Sequence, residues 1–215
     1  MGIKAESYEM PENIQNFVTI KPILAEILEE IRSLTDCQSV GIRLHNNGDY
    51  PYYVDEGFPK FFIAKENSLC AKDAECKLIL DKKGDPLLEC MCGNVLKGRF
   101  DPKLPFFTEK GSFWTNSTTQ LLESTTEKEL QGRTRNMCHH SGYESVALIP
   151  LKADSRTLGL IQMNDPRENM FTPKKIKSYE SLADKVAAVV FNALEIQNGM
   201  SAISDLVNNL KSAKN

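Results

Sequence analysis

Two helical patterns frame the chain. Near its start, Ile14, Phe17, Val18, Ile23, Leu24, Ile27, Leu28, Ile31 and Leu34 recur at helical spacing and make one apolar stripe. Pro22 lacks an N–H and would break a helix interior, so the spacing predicts a main helix over about residues 20–35 with the proline in its first turn. Residues 1–19 then form a looser lead-in. Near the other end, Thr172-Pro173 reads as an N-cap followed by an N1 proline. From Tyr179 the apolar positions Leu182, Val186, Val189, Ala193, Ile196, Met200, Ile203, Val207 and Leu210 alternate in steps of three and four, a heptad seam. The pattern predicts a helix from 173 to about 212. Its first half would cover a sheet. Residues 196–215 would project as a coiled-coil extension that pairs two copies into a homodimer.

Between these helices the period changes to two. Val40, Ile42 and Leu44 alternate with small or polar residues, Asn46-Asn47-Gly48 follows, and Tyr50–Val54 completes a hairpin with an Asn-Gly turn. Val146–Leu151 and Leu158–Met163 form a second hairpin across the polar Lys152–Thr157 segment. Ser112–Thr115 is a short aromatic strand, and Thr126-x-x-Glu129 is a capping box before a short helix. Residues 57–110 are rich in glycine and proline, as functional loops on a rigid scaffold are. No internal repeat is apparent. The order of helix, hairpin, irregular insertion, strand, helix, hairpin and helix predicts an α+β fold, an antiparallel sheet with helices on one side.

Composition narrows the function. With 215 residues, 41% hydrophobic and 26% charged, the chain is a folded domain rather than a disordered one. A net charge of −3 argues against a nucleic-acid surface. The longest strictly apolar run, residues 186–191, falls far short of the roughly 18 needed to span a membrane. The first ten residues lack the apolar core of a secretory signal, and Glu6 breaks the myristoylation pattern. A cytoplasmic protein is expected. There, six cysteines read as metal ligands, redox thiols or buried residues before disulfides.

Cys37, ahead of the first strand, reads as a small buried residue. Cys70, Cys90, Cys92 and Cys138 could complete a tetrahedral zinc shell or hold an iron–sulfur cluster, with Cys76, His139 and His140 as spare ligands and a haem axial bond as a further option. There is no CxxC pair, and the same thiols read equally as core residues. On a strand Cys90 and Cys92 would face opposite ways, whereas a turn at Gly93 would bring both sulfurs together. Arg133, Arg135, His139 and His140 surround Cys138 in sequence and would lower its pKa, making it the most reactive thiol. Trp114, Asn116, Tyr143, Ser145 and Gln162 are candidate pocket residues, each also readable as structural, with Phe61-Phe62 and Phe106-Phe107 as roof. No glycine-rich phosphate loop or Ser-His-Asp arrangement is present.

Three segments, Cys37-Gln-Ser-Val-Gly-Ile-Arg-Leu44, Gly142-Tyr-Glu-Ser-Val-Ala-Leu-Ile-Pro150 and Leu158-Gly-Leu-Ile-Gln-Met-Asn164, together with the long helix after them, resemble a GAF domain over about residues 20–195. The segments Leu88-Glu-Cys-Met-Cys-Gly93, Pro105-Phe-Phe-Thr108, Gly111-Ser-Phe-Trp-Thr-Asn116 and Arg135-Asn-Met-Cys138 are similar to a subgroup found in bacterial and archaeal sensory kinases. The resemblance implies a central six-stranded antiparallel sheet, helices behind it, a loop-roofed pocket in front, ligand sensing and dimerisation. The chain is therefore expected to sense a small molecule, a metal or a redox state through its cysteine cluster. No output domain lies in these residues, so the signal would pass to a partner protein in trans. A second resemblance is to the free methionine-(R)-sulfoxide reductases, in which Cys138 and Cys92 would be catalytic. There the amides Gln162 and Asn164 stand where that family has acids, leaving Glu144 and Asp165 as candidates. A dimerisation module without a ligand is the third reading.

Overall fold

Alternation of period two sorts the strand residues onto two buried faces. The computed structural model describes residues 20–126, 129 and 134–212. Strands β1 (Ser39–Leu44), β2 (Tyr52–Glu56), β3 (Phe113–Thr115), β4 (Ser145–Ala153) and β5 (Arg156–Asp165) form one antiparallel sheet in the order β2-β1-β5-β4-β3. The sheet is open and has five strands among the described residues, one fewer than the resemblance implied. Asn47 and Gly48 both take positive φ, 49° and 84°, which a type I′ turn requires, so the Asn-Gly reading of the first hairpin holds. Its second strand starts at Tyr52 rather than Tyr50, where the register shifts between Ile42 and Arg43.

On the rear face, Val40, Ile42, Ala147, Ile149, Ile161 and Met163 meet α1 (Lys21–Thr35) and the first half of α6 (Pro173–Ser212). Helix α1 carries Pro22 in its first turn. Thr172 Oγ1 caps α6 by accepting from the Lys175 N–H at 3.3 Å. The front face carries Val146, Leu148 and Leu160 under a roof. That roof is not bare loop. It contains α2 (Lys60–Glu66), α3 (Cys90–Leu96), α4 (Thr118–Ser124) and α5 (Met137–His140), so helices lie on both sides of the sheet. The Thr126–Glu129 capping-box bonds form, with Thr126 N donating to Glu129 Oε2 at 2.9 Å. The helix they would open, Arg133 and the 1–19 lead-in lie outside the described residues.

Residues 71–88 hold a repeat that the sequence reading missed. Ala71, Ile79 and Leu87 stand eight residues apart and close a ring of backbone hydrogen bonds: Ala71 N–H to Leu87, Leu87 N–H to Ile79, and Ile79 N–H to Ala71, at 2.8–3.0 Å. The two intervening turns are copies. Asp73 Oδ1 accepts from the N–H groups of Glu75 and Lys77, as Asp81 Oδ1 does from Lys83 and Asp85. Positive φ falls on Cys76 in one turn and Gly84 in the other. Side chains differ at most repeat positions, so only the backbone reveals the period.

The second half of α6 leaves the core, and Ile196, Ile203, Leu206 and Leu210 are exposed. One 18-residue window of α6 reaches a mean hydropathy of 1.2, enough by length and composition to cross a membrane, and 17% of that window is buried. Counting only unbroken apolar runs had hidden this, because Ala193, Gly199 and Ala202 keep hydropathy up between polar residues.

Gly57 ends β2 at a φ of 80°, and a Cβ there would sit 2.0 Å from the Gln38 carbonyl oxygen. Gly57→Ala is expected to destabilise the domain by roughly 2–3 kcal/mol, read as a lower urea midpoint at unchanged slope.

Candidate functional site

The centre of the front face is Arg43, which is wholly buried. A charge taken from water must be met by hydrogen bonds. Its Nη1 donates to the carbonyls of Tyr50 (2.9 Å) and Asn67 (3.3 Å), its Nη2 to Glu66 O (2.7 Å), and its Nε to Gln162 Oε1 (3.3 Å). Two of these carbonyls lie at the end of α2, where the helix dipole favours a cation. The guanidinium also stacks on Tyr52, 3.6 Å from the ring centroid. That ring lies flat on the sheet because residue 41 is glycine; a Cβ there would be 2.8 Å from it.

Gln162 gathers the neighbours. Its Oε1 accepts from Tyr52 Oη at 2.8 Å and from the Cys92 thiol at 3.8 Å. Its Nε2 donates to Asn164 Oδ1 at 3.1 Å and to Cys138 Sγ at 3.7 Å. Cys90, Cys92 and Cys138, with Met91 and Met137, then form one wall of a cavity of about 70 Å³. Leu121, Phe113 and Leu148 supply apolar wall, and Glu66 supplies a carboxylate. Cys90 and Cys92 sit on α3 rather than on a strand. Cys90 adopts φ 63° at the helix start, and its sulfur accepts from the Arg135 N–H at 3.2 Å.

The expected four-cysteine shell is not assembled. Cys70 lies apart, beside Asp49 and Ser68, and among the described residues no three His, Cys, Asp or Glu side chains cluster closely enough to share a metal ion. The donor set therefore does not fit zinc or an iron–sulfur cluster. Cys37 is buried as expected, and Cys76 is exposed. The activation of Cys138 by Arg135 does not occur either. Nη2 of that guanidinium lies 3.3 Å from Glu66 Oε2, and Nη1 and Nη2 donate to Ser68 O at 3.1 and 3.0 Å. Cys138 is partly exposed as a residue, but its sulfur is enclosed, and burial pushes that thiol up to about 12. Burial pushes Cys92 higher still and raises Cys90 as well.

Of the five candidate pocket residues, only Gln162 touches the cavity wall, through its two thiols. Tyr143 Oη pairs with Ser39 Oγ at 2.9 Å, and its ring packs edge-on against Phe62. Ser145 Oγ accepts from Met170 N at 3.3 Å. The Asn116 amide is locked onto the Phe171 backbone by two 2.9 Å bonds. Trp114 and Asn116 line a separate, open groove. Glu144 and Asp165 are held away from the cavity. Burial would raise both carboxyls, but Thr119 and Ser117 on Glu144, and Arg167 and the Gln38 N–H on Asp165, outweigh it and hold them low. The residues missed were Arg43 and Glu66. In Val40–Leu44, an arginine alternating with apolar neighbours reads as a solvent-facing position unless the second face is known to be covered.

The GAF domain family model matches residues 19–190. The chain belongs to the GAF domain family. No curated protein matches it. Solved structures share the fold at low identity. The GAF domain from Acinetobacter phosphoenolpyruvate-protein phosphotransferase is 13% identical with a TM-score of 0.54, over 87% of this chain and 91% of that one. The GAF domain/HD domain protein from Geobacter sulfurreducens is 13% identical with a TM-score of 0.54, over 85% and 99%. Free methionine-R-sulfoxide reductase from Neisseria meningitidis, solved with its substrate, is 14% identical with a TM-score of 0.51, over 84% and 82%. At these identities the likeness is one of fold.

Removing the guanidinium would leave four acceptors without their donor. Arg43→Met is expected to cost about 3–5 kcal/mol, measured by urea unfolding, with Arg43→Lys recovering less than half because one ammonium cannot reach all four. The thiols set a pH dependence. They ionise near pH 9 when unfolded and only toward 12 when buried at Cys138. Their contribution to stability is complete below pH 9 and is lost as pH rises through 12. Stability should fall from pH 9 to 11, less steeply in Cys138→Ala, while at pH 8 a thiol reagent labels Cys76 first and Cys92 and Cys138 only on unfolding.

Proposed function

We propose that this GAF domain is a sensor that takes a small molecule into the cavity beneath α3 and α5 and reports its occupancy through α6. One observation carries the reading: the cavity is closed, largely apolar and contains a carboxylate oxygen, Glu66 Oε1, that has no hydrogen-bond partner. Few polar groups converging in an apolar hollow are what a ligand site needs. A cluster built only for stability would leave no such atom unmet. The exposed seam of α6 is the output. Ile196, Ile203, Leu206 and Leu210 are apolar and open to solvent, as a helix awaiting a second copy would be. Two copies joined there would pass the change to a signalling partner in trans. The test of sensing is a thermal-shift screen of small metabolites. At least one should raise Tm, and Leu121→Trp, which fills the cavity, should abolish the rise; a flat response across the panel would overturn the reading.

A reductase reading is favoured by one geometric fact, the shared contact of Cys92 and Cys138 with Gln162. Against it, both thiols are held protonated, and thiolate is the nucleophile. The sensor reading expects free methionine-(R)-sulfoxide plus dithiothreitol to be consumed no faster by the parent protein than by Cys138→Ser. For the seam, the parent should sediment as a dimer, and the double variant Ile203→Glu, Leu210→Glu as a monomer with an unchanged sheet core.

A further inference from the structure

The lining of the cavity restricts what can enter it, and this inference rests on the sensor reading above. Glu66 is only 5% exposed, and its two oxygens are not equivalent. Oε2 faces Arg135 Nη2 at 3.3 Å, whereas Oε1 is buried with no partner. Burial raises the Glu66 pKa, but Arg135 and Arg43 both act to keep the group ionised. An ionised carboxylate oxygen accepts hydrogen bonds and cannot donate one. The occupant must therefore bring an O–H or N–H donor.

Charge sets the second condition. Arg43 and Arg135 are balanced by Glu66 and Glu89, all four acting on one another around the cavity, so the formal sum is zero. The remaining wall is apolar or sulfur: Met91, Met137, Leu121, Phe113, Leu148 and the thiols. A net charge brought into that environment would lose its hydration without a counter-ion to replace it. Size sets the third condition. A cavity of about 70 Å³ is near half the roughly 150 Å³ that accommodates benzene. We propose that the site binds a neutral molecule of about three or four non-hydrogen atoms, with one hydroxyl or amide donor directed at Glu66 Oε1 and its alkyl part against the methionines, as in a short alcohol or amide. An occupant this small binds at about millimolar concentration.

Four molecules of the same size separate the requirements: 2-propanol, acetone, isopropylammonium and acetate. The full chain, labelled with 13C at its methionine methyls, is titrated with each. The expected result is saturable shifts at Met91 and Met137 with 2-propanol, about tenfold weaker binding of acetone, which has no donor, and no saturable shift with either ion. In Glu66→Gln the amide oxygen turns to Arg135 and the NH2 faces the cavity, so the preference should invert to acetone over 2-propanol. Acetone or an ion binding the parent protein as tightly as 2-propanol would overturn the ligand class while leaving the cavity a binding site. No saturable shift with any of the four would overturn this proposal, and a flat metabolite screen as well would remove the sensor reading beneath it. If Glu66→Gln fails to fold, the order of the four probes on the parent protein decides alone.

Discussion

The buried guanidinium of Arg43 is the contact on which the front half of the domain depends. It has no carboxylate in direct contact, so backbone carbonyls must hold it, and those carbonyls come from the chain before β2 and from the end of α2. The roof is thereby tied to β1 at a point where slippage would strand a charge in an apolar interior. Glycine at position 41 and the flat Tyr52 ring belong to the same solution, because stacking and the Gln162 bond need the ring on the sheet. A polar cluster in which nearly every group is met defines one arrangement rather than many. The front face can therefore support a cavity without collapsing into it.

The same dryness decides the chemistry of the sulfurs. Charged neighbours lower a thiol pKa only when they reach it, and here the Arg135 side chain is directed to Glu66 and Ser68 while its backbone N–H goes to Cys90. Cys92 and Cys138 are left with an amide, which stabilises a neutral thiol on each side of Gln162. They act as polarizable wall rather than as nucleophiles. Proximity in sequence to Arg135, His139 and His140 suggested the opposite, because spacing along the chain does not say where a guanidinium ends.

What could be read from the residues divides along periodicity. The two long helices, the Asn-Gly turn and the β4–β5 hairpin came from repeating patterns in which many residues agree, and they survive in the structure. The GAF resemblance supplied the layer order, though it implied one strand too many and a roof without helices. The cavity came from single residues with no pattern to announce them. Arg43 looks like an exposed strand position, Glu66 like the polar end of a surface helix, and Cys90-x-Cys92 like a strand until Leu88–Leu96 is seen to turn at a left-handed Cys90. The eight-residue repeat over 71–88 shows the same limit. Its likeness lies in backbone bonds and in Asp73 and Asp81, while the ring positions vary as Ala71, Ile79 and Leu87.

How a filled cavity could reach α6 is constrained by β3. This strand is three residues long, and Phe113, its first residue, lines the cavity. The neighbouring Ser112 points to the other side, where its hydroxyl donates to Glu180 Oε1 at 2.7 Å, joined by Thr108 Oγ1 at 2.6 Å. Glu180 is a nearly buried carboxylate on α6 and is the polar tie between the roof and that helix. A short edge strand held by few ladder bonds can shift where the central strands cannot. Displacing the Phe113 ring must move Ser112 with it, since the two share a peptide bond, and either the pair of hydroxyl bonds follows or Glu180 is left buried and unmet. That choice between two arrangements, set one residue from the cavity, is the kind of element a sensor requires. The heptad beyond residue 196, free of the core, would then turn a small shift at Glu180 into a change in how two helices meet.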